Sequence, residues 1–278
     1  MKKTIGIIGC GNMGRAIAEK IKTDFPVLVF DKFIEKTGNV SGVQAVSGIG
    51  QLCSGAQAII LAVKPQDFDD MLDELKGKIN NKLIITIAAG IPTFLIEKSL
   101  GAVAVVRVMP NIAARIGKST SCVSKGKYAG IEELDLVQNI FDLLGQTIVI
   151  EEALMNAATA VSGSGPGFFY YLLQSKKINP TEFDVVKRFA LEEFSVQLTR
   201  AALALGFNMG QAEFLAVNTV EGSLGMLNQE GVSLEELIKQ ITSKGGTTEA
   251  GIEALGKGLS LEEAVNAAKM RAEMLARR

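Results

Sequence analysis

Three glycines near the start of the chain limit its fold more than any other feature. Gly9, Gly11 and Gly14 stand at the spacing G-x-G-x-x-G, at the end of a β-forming run that starts at Thr4. In this pattern the first glycine permits a tight turn, the second lets a pyrophosphate approach the backbone, and the third allows close helix–strand packing. A helical pattern that begins near Asn12 would direct free N–H groups at the phosphates. The stretch predicts a dinucleotide site, and the alternative is a strand–turn–helix without a ligand.

Short apolar strands alternate with helical patterns up to about residue 150. The predicted strands are Thr4–Gly9, Val27–Asp31, Val43–Val46, Ala58–Val63, Leu83–Ile87, Val103–Met109 and Thr147–Ile150. Runs of Ile and Val without alternation are typical of strands buried on both faces, and the strand–helix–strand order implies right-handed crossovers. The predicted fold class is α/β, with a Rossmann-type doubly wound parallel sheet in residues 1–161 and a smaller all-helical domain in residues 162–278.

The second half of the chain has helical patterns and no predicted strand. A glycine-rich turn is predicted at Ser162–Gly167, and a helix start at Asn179, which precedes a proline. In the helical stretch Gln211–Asn228, the small residues Gly222 and Gly225 would let another helix approach closely. Because many apolar positions lie on short helices with no sheet to cover, we expect burial against a second copy, in an obligate homodimer.

Composition excludes several classes of function. The net charge of −1 without a long basic run speaks against nucleic-acid binding, and no apolar run has the length of a membrane span. Cys10, Cys53 and Cys122 are far apart in the sequence, so neither a disulfide framework nor a metal site is predicted. Because no signal peptide is recognisable either, we expect the protein in a reducing cytoplasm. The sequence contains no histidine, which excludes imidazole acid–base catalysis, Ser-His hydrolysis and histidine-ligated metals.

Ligands of doubly wound sheets bind beyond the carboxyl ends of the strands, where this chain carries suggestive residues. Asp31 ends the second strand, where a carboxylate accepts the ribose hydroxyls and repels a 2′-phosphate. The neighbouring Lys32 counts against that discrimination, so NADH is only slightly favoured over NADPH. Each of the other strand ends, taken alone, is explained as an ordinary loop sequence without a ligand. Together, at one edge of the sheet, they predict a cofactor cleft. Its further residues are Val63, Lys64, Pro65, Ala89, Met109 and Asn111.

A second glycine-rich turn lies near the C-terminal end, at Thr242–Gly251. It contains Gly245 and Gly246, followed by Thr247 and Thr248 at the start of a helical pattern. Such a turn presents several backbone N–H groups to one point, which suits a carboxylate. The alternative is a threonine-capped helix without a ligand.

Five motifs occur along the chain in the order typical of one enzyme family. They are Gly9–Gly14, Val63–Gln66, Met109–Asn111, Ser162–Pro166 and Gly245–Thr248. Over nearly its whole length the chain resembles the pyrroline-5-carboxylate reductases. The resemblance implies NAD(P)H-dependent reduction of 1-pyrroline-5-carboxylate, a cyclic imino acid, to L-proline in proline biosynthesis. It also implies an N-terminal Rossmann domain and a C-terminal helical dimerisation domain.

The resemblance further assigns roles to single residues. Pyrophosphate would be held by Gly9, Asn12, Met13 and Gly14, and the nicotinamide half would be surrounded by Lys64, Pro65 and Ala89. The substrate carboxylate would be held by Ser243, Gly245, Gly246, Thr247 and Thr248. Thr248 would also act as the catalytic residue, by hydrogen bonding to the imine nitrogen.

The chain departs from the family pattern at several positions. It has Ile112-Ala113-Ala114 where Thr-Pro-Ala is usual, Lys244 in place of proline, Gly167 in place of alanine, and a longer segment between Leu173 and Val196. Two other functions stay open: another imine or β-hydroxyacid reductase on the same architecture, and a dinucleotide-binding sensor without a reaction. Hydroxyacid reductases generally carry a catalytic lysine early in the second domain, and Gly163–Gln174 contains none.

Overall fold

A computed structural model of the chain describes residues 2–38, 40–229 and 231–276, except for the side chain of Pro65. The strands within these ranges are β1 (Ile5–Ile8), β2 (Val27–Phe30), β3 (Gln44–Ala45), β4 (Ala58–Leu61), β5 (Leu83–Thr86), β6 (Ala104–Met109), β7 (Ser119–Lys125) and β8 (Gly145–Val149). They form one sheet in the order β3-β2-β1-β4-β5-β6-β7-β8.

The first six strands form the parallel part of the sheet. Ile5 of β1 pairs with Val27 of β2 on one side and with Ala58 of β4 on the other, and β5 and β6 continue in parallel register. The order 3-2-1-4-5-6 is that of the Rossmann fold. Ile7 and Ile60 have no exposed surface, as expected for strands covered on both faces. The predicted Rossmann-type sheet is confirmed.

Strand β7 was not predicted, because its sequence is polar. The carbonyl of Val105 near the start of β6 accepts a hydrogen bond from the N–H of Gly126, just after β7, at 2.8 Å, so the two strands run antiparallel. The hydroxyls of Ser119 and Ser121 in β7 have partners within the protein, whereas the buried Thr120 Oγ1 has no hydrogen-bond partner among the described residues. Ser119 Oγ lies 3.1 Å from Ser121 Oγ and accepts the N–H of Asn111 at 3.1 Å.

Helices cover the sheet and make up most of the second half. The α-helices of the described residues are α1 (Asn12–Ile21), α2 (Ile49–Gly55), α3 (Phe68–Leu75), α4 (Thr93–Leu100), α5 (Ile131–Asp142), α6 (Met155–Ala158), α7 (Gly165–Ser175), α8 (Phe183–Arg188), α9 (Ser195–Ala204), α10 (Met209–Leu227), α11 (Leu234–Ile241), α12 (Thr247–Gly256) and α13 (Leu261–Ala276). Short 3₁₀ helices span Ile34–Lys36, Pro65–Asp67, Ile112–Ile116 and Glu152–Leu154, and π-helical turns span Thr159–Gly163 and Phe189–Phe194. Among the helices described, none is both long and apolar enough to cross a bilayer.

Two predictions about helix boundaries are wrong. The predicted turn at Ser162–Gly167 is instead a π-helical turn that leads into α7, with the Ser164 N–H donating to the Thr159 carbonyl at 2.9 Å. Asn179 does not begin a helix, since α8 starts only at Phe183. The carboxamide oxygen of Asn179 accepts hydrogen bonds from the backbone and hydroxyl of the residue two positions on, which forms a side-chain turn.

The described chain forms two compact units. Unit 1 consists of residues 1–109 and 123–152, and unit 2 of residues 110–122 and 153–278. This division differs from the predicted boundary after residue 161, because the segment 110–122 packs on α10. A Cβ on Gly222 would lie 2.8 Å from the Lys118 carbonyl oxygen and 2.9 Å from the Ala113 Cβ. The small residue that was expected to admit another helix thus admits a 3₁₀ helix and the turn after it.

The core of unit 2 contains a cluster of aromatic rings. The Phe169 ring centroid lies 6.0 Å from that of Phe189, 5.2 Å from that of Phe194 and 5.6 Å from that of Tyr170. These spacings are favourable for aromatic pairs. Phe189 and Phe194 belong to the segment that is longer than the family pattern needs, so this segment contributes buried rings to the core.

Candidate active site

The turn between β1 and α1 requires glycine at two of its three glycine positions. Gly9 has φ of +100°, and a Cβ there would lie 2.7 Å from the carbonyl oxygen of Ala62. A Cβ on Gly14 would overlap the Gly9 carbonyl oxygen. The first and third glycines are therefore needed by the backbone itself, and their presence does not depend on a ligand.

Gly11 faces open space. Its position at the N-cap of α1 brings no protein atom within 4 Å of the place where a Cβ would stand. The first turn of α1, which includes Asn12 and Met13, contains no acidic residue to occupy its free N–H groups or to oppose the helix dipole. The space and the donors together fit the pyrophosphate of a dinucleotide.

A groove of about 500 Å³ opens beside this turn in unit 1, beyond the carboxyl ends of β1, β2 and β4. The predicted cofactor residues that line it are Gly9, Gly11, Asp31, Val63 and Lys64. Phe33 and Lys36 line it as well, although neither was predicted. The groove therefore brings Gly9, Gly11 and Asp31, predicted for the pyrophosphate and adenosine, together with Lys64, predicted for the nicotinamide half.

Asp31 is fixed in this groove by two backbone hydrogen bonds. Its Oδ2 accepts the N–H of Cys10 at 2.7 Å and its Oδ1 accepts the N–H of Phe33 at 2.9 Å. The side chain is 9% exposed, and Lys36 Nζ lies 3.9 Å from Oδ1. A carboxylate held in this way is preorganised, and its remaining lone pairs are available to hydroxyl donors.

The two lysines near Asp31 both have partners within the protein. Lys32 Nζ lies 2.6 Å from Asp67 Oδ1, and this hydrogen bond raises the pKa of Lys32. Lys36 Nζ lies 4.3 Å from the centroid of the Phe33 ring, in addition to its contact with Asp31. The Lys32 charge that counted against NADH in the sequence is thus paired with a carboxylate.

Asn111 is held in a buried hydrogen-bond network, and its predicted place in the cofactor cleft stays a prediction. It is 2% exposed and belongs to unit 2. Its Oδ1 accepts the N–H groups of Ala113 and Thr120 at 3.2 and 3.4 Å, and its Nδ2 donates to the Ser162 carbonyl at 3.3 Å. Because a short polar side chain needs such partners when buried, these bonds account for the residue without a ligand.

The remaining predicted cofactor residues lie at strand ends outside the lining of the groove. Met109 is the last residue of β6, and Ala89 follows β5 and is half-buried. The side chain of Pro65 lies outside the described residues. Their roles in cofactor binding stay predictions.

The turn before α12 in unit 2 has part of the geometry predicted for an anion site. Gly245 has φ of +68°, Gly246 is the N-cap, and α12 begins at Thr247. The N–H of Gly245 donates to Glu249 Oε2 at 2.6 Å, and the N–H of Gly246 donates to the Ser243 carbonyl at 2.9 Å. Two of the predicted donors are thus paired within the protein, whereas first-turn amides of a helix have no intrahelical acceptor.

Gly245 is held from both sides. In addition to the Glu249 contact of its N–H, its carbonyl accepts a hydrogen bond from Arg271 Nε on α13 at 2.6 Å. Charge-assisted hydrogen bonds of this kind are stronger than those between neutral groups. Two such hydrogen bonds therefore hold the backbone of Gly245, although the turn consists largely of glycine and small polar residues.

Thr248 belongs to a cluster of three hydroxyls, of which its own and that of Ser164 are buried and that of Thr247 is half-buried. Its Oγ1 donates to Ser164 Oγ at 3.1 Å, and Ser164 Oγ lies 3.0 Å from Thr247 Oγ1. Thr248 is 4% exposed and Ser164 has no exposed surface. Ser164 is not among the predicted site residues, although it stands in the motif Ser162–Pro166 that carried the family resemblance.

Comparison with known proteins identifies the family. The model of the family described as "Pyrroline-5-carboxylate reductase dimerisation" matches residues 191–275, and that of "NADP oxidoreductase coenzyme F420-dependent" matches residues 4–90. A pyrroline-5-carboxylate reductase of Methanosarcina acetivorans is 33% identical, over 90% of this chain and 88% of its own length. The chain belongs to the pyrroline-5-carboxylate reductase family. The family member of Aquifex aeolicus is 31% identical, over 98% of this chain and 97% of its own length.

Solved structures of the family agree with the fold. The pyrroline-5-carboxylate reductase of Coxiella burnetii is 28% identical and gives a TM-score of 0.67, with all of both chains covered. The pyrroline carboxylate reductase of Plasmodium falciparum, solved with NADP bound, gives 0.65 at 24% identity over 99% of this chain and 98% of that one. The resemblance found in the sequence and the fold class are both confirmed.

Proposed function

We propose that this chain reduces the C=N bond of 1-pyrroline-5-carboxylate to give L-proline, with NAD(P)H as the reductant. The observation that carries the proposal is membership of the pyrroline-5-carboxylate reductase family, with relatives matched over nearly their whole length. Two features of the structure support it. One is the groove beside Gly11, and the other is the hydroxyl cluster around Thr248.

The proposed chemistry suits a chain without histidine. A cyclic imine becomes strongly electrophilic once its nitrogen is protonated, and it takes up that proton from water near neutral pH. The bound reduced nicotinamide supplies the hydride. The chain has to orient the imine and bind its carboxylate, and we assign the carboxylate to the first-turn amides of Thr247 and Thr248. We assign the imine nitrogen to the Thr248 hydroxyl, a contribution of roughly 10²-fold.

We also propose that the chain prefers NADH to NADPH. Asp31 is oriented by two backbone donors, so its negative charge stays at the place where the adenosine ribose is expected. A 2′-phosphate there would be repelled, and Lys32 is paired with Asp67. The arrangement therefore favours a cofactor whose ribose carries two free hydroxyls.

The protein acts as a homo-oligomer, since the model of the dimerisation family matches residues 191–275 of unit 2. A cytoplasmic location stays a prediction. It is supported by the three cysteines, which are free and buried and form no disulfide among the described residues.

The decisive experiment is an assay of NADH oxidation with 1-pyrroline-5-carboxylate as substrate. Loss of NADH absorbance with formation of L-proline supports the reductase, whereas tight dinucleotide binding without turnover would support the sensor. Thr248→Ala is expected to lower kcat roughly 10²-fold with little change in NADH affinity, and Thr248→Ser is the matched control that keeps the hydroxyl. An unchanged kcat in Thr248→Ala would refute the assigned role of Thr248.

A further inference from the structure

Thr248 is held at both branches of its side chain by one helical segment. Its Oγ1 donates to Ser164 Oγ at 3.1 Å, and its Cγ2 packs over Gly167, where a Cβ would lie only 2.5 Å away. Ser164 and Gly167 stand at the junction between the π-turn Thr159–Gly163 and α7. Since threonine has a stiff χ1, fixing both branches fixes the direction of the hydroxyl.

The direction of this hydrogen bond determines what Thr248 offers to a ligand. A hydroxyl has one hydrogen to donate and two lone pairs to accept with. Because the hydroxyl hydrogen of Thr248 points to Ser164 Oγ, Thr248 Oγ1 can offer a ligand only its lone pairs, as a hydrogen-bond acceptor. Ser164 is fully buried and also lies 3.0 Å from Thr247 Oγ1, so it is itself held in place.

We propose that Ser164 and Gly167 are positioning residues that make Thr248 Oγ1 a hydrogen-bond acceptor for the N–H of the protonated imine. This inference rests on the proposed function. An unprotonated imine nitrogen has a lone pair and no hydrogen, so it gains nothing from an acceptor. A protonated imine nitrogen has one hydrogen to donate and no free lone pair. The site therefore selects the form of the substrate that accepts a hydride.

The reaction balances without a proton from the chain. The imine nitrogen takes its first proton from water before it binds. The imine carbon then gains the hydride of the reduced nicotinamide, which is oxidised, and the π electrons of the C=N bond move to nitrogen. The product is a neutral secondary amine whose N–H still faces Thr248, and a second proton from water makes it the ammonium of proline.

The test compares two ligands that differ at one ring atom. L-Proline carries ring N–H donors, whereas L-tetrahydrofuran-2-carboxylate carries a ring oxygen that only accepts. With saturating NAD⁺ present, calorimetry is expected to show that the wild-type protein binds L-proline about tenfold more tightly or better. In Ser164→Ala the Thr248 hydroxyl is free to rotate and donate, so the ratio of the two affinities is expected to fall about fivefold or more.

The matched control is Ser223→Ala. Ser223 is fully buried in the same unit and donates to the Thr219 carbonyl at 2.7 Å, so its loss removes a buried hydroxyl away from Thr248. Its affinity ratio is expected to equal that of the wild type. Gly167→Ala provides a second variant, because the added methyl displaces Thr248 Cγ2 and is expected to lower the same ratio.

The outcomes separate this inference from the function on which it rests. An equal affinity ratio in wild type, Ser164→Ala and Gly167→Ala would overturn the positioning role, even if all three proteins bind L-proline and turn over. A wild-type preference for the ring-oxygen ligand would overturn the acceptor role. Failure of the wild type both to bind L-proline and to reduce the imine would overturn the proposed function, and this inference with it.

Discussion

The carboxylate of Glu249 accepts a hydrogen bond from the backbone N–H of Gly245 at 2.6 Å. One amide of the turn that was predicted to bind a substrate carboxylate thus binds a carboxylate of its own helix. This contact demonstrates that the turn can hold such a group. It also means that a ligand carboxylate near the turn meets a negative charge already in place.

We expect Glu249→Gln to lower the KM for 1-pyrroline-5-carboxylate about threefold, with kcat little changed. The glutamine oxygen still accepts the Gly245 N–H, so the turn keeps its geometry while the repulsion of the substrate carboxylate is removed. Steady-state kinetics measure the effect, and Glu253→Gln, an exposed carboxylate on the same helix, is the control. A KM that is unchanged or higher in Glu249→Gln would argue against a substrate carboxylate at this turn.

Gly11→Ala is expected to weaken NADH binding, whereas Gly14→Ala is expected to lower the stability of the fold. At Gly11 no protein atom lies within 4 Å of the new methyl, so the melting temperature stays within a few degrees while NADH affinity falls about tenfold or more. At Gly14 the methyl overlaps the Gly9 carbonyl oxygen, which costs about 1–3 kcal/mol of stability. Thermal unfolding and fluorescence titration with NADH measure the two effects. Normal NADH affinity in Gly11→Ala would place the pyrophosphate elsewhere.

Asp31→Ser is expected to narrow the preference for NADH over NADPH about tenfold. The shorter hydroxyl removes the charge that repels a 2′-phosphate and loses part of the contact with the ribose. Binding titrations with NAD⁺ and NADP⁺ measure the preference without relying on turnover. Asp69→Ser removes a carboxylate from the exposed surface of α3 and is expected to leave the ratio as it is. If Asp31→Ser and the wild type have the same ratio of NAD⁺ to NADP⁺ affinity, Asp31 does not determine the cofactor preference.

Cys122 is expected to be inert in the folded protein. Burial raises the pKa of its thiol from 9.0 to about 12, and Ser162 is its hydrogen-bonding partner. Since the thiolate is the reactive form, Cys122 does not react with thiol reagents at pH 8 until the protein unfolds. Mass spectrometry of the labelled peptides, with and without denaturant, tests this. Labelling of Cys122 at the rate of an unfolded thiol in the native protein would contradict its burial.

The same shift in pKa makes stability depend on pH. Between pH 9 and pH 12 the Cys122 thiol deprotonates in the unfolded chain but not in the folded one, so the unfolded state binds fewer protons and stability falls as the pH rises. From pH 9 to pH 10 this amounts to about 1 kcal/mol. Denaturant titrations of the wild type and Cys122→Ser measure it. The serine variant is expected to lose less stability over this interval, and parallel curves would disprove the contribution.

Elements that depend on apolar periodicity and on glycine spacing are predictable from the sequence. The parallel strands of unit 1 and the helices α11 and α13 were predicted because the sequence of each contains a regular apolar stripe or run. Strand β7 was not, because its burial depends on hydrogen bonds between its serines and Asn111. No local pattern signals such bonds.

The candidate site shows the same limit. Gly245, Gly246, Thr247 and Thr248 form one continuous motif and were predicted together. Ser164 reaches Thr248 across 84 positions of the chain, so its role appears only when the helices are packed. The sequence likewise did not indicate that the amide of Asn111, assigned to the cofactor from its position at a strand end, completes a buried network.

Residues 110–122 belong to unit 2 but precede the last 30 residues of unit 1 along the chain. No single cut in the gene therefore separates the two units. A fragment that starts at residue 153 would lack the 3₁₀ helix that fits against Gly222, and it would expose that face of α10 to water. During synthesis, residues 110–122 leave the ribosome long before α10. Unit 2 can therefore complete its folding only after the later helices have been made and have packed against this earlier segment.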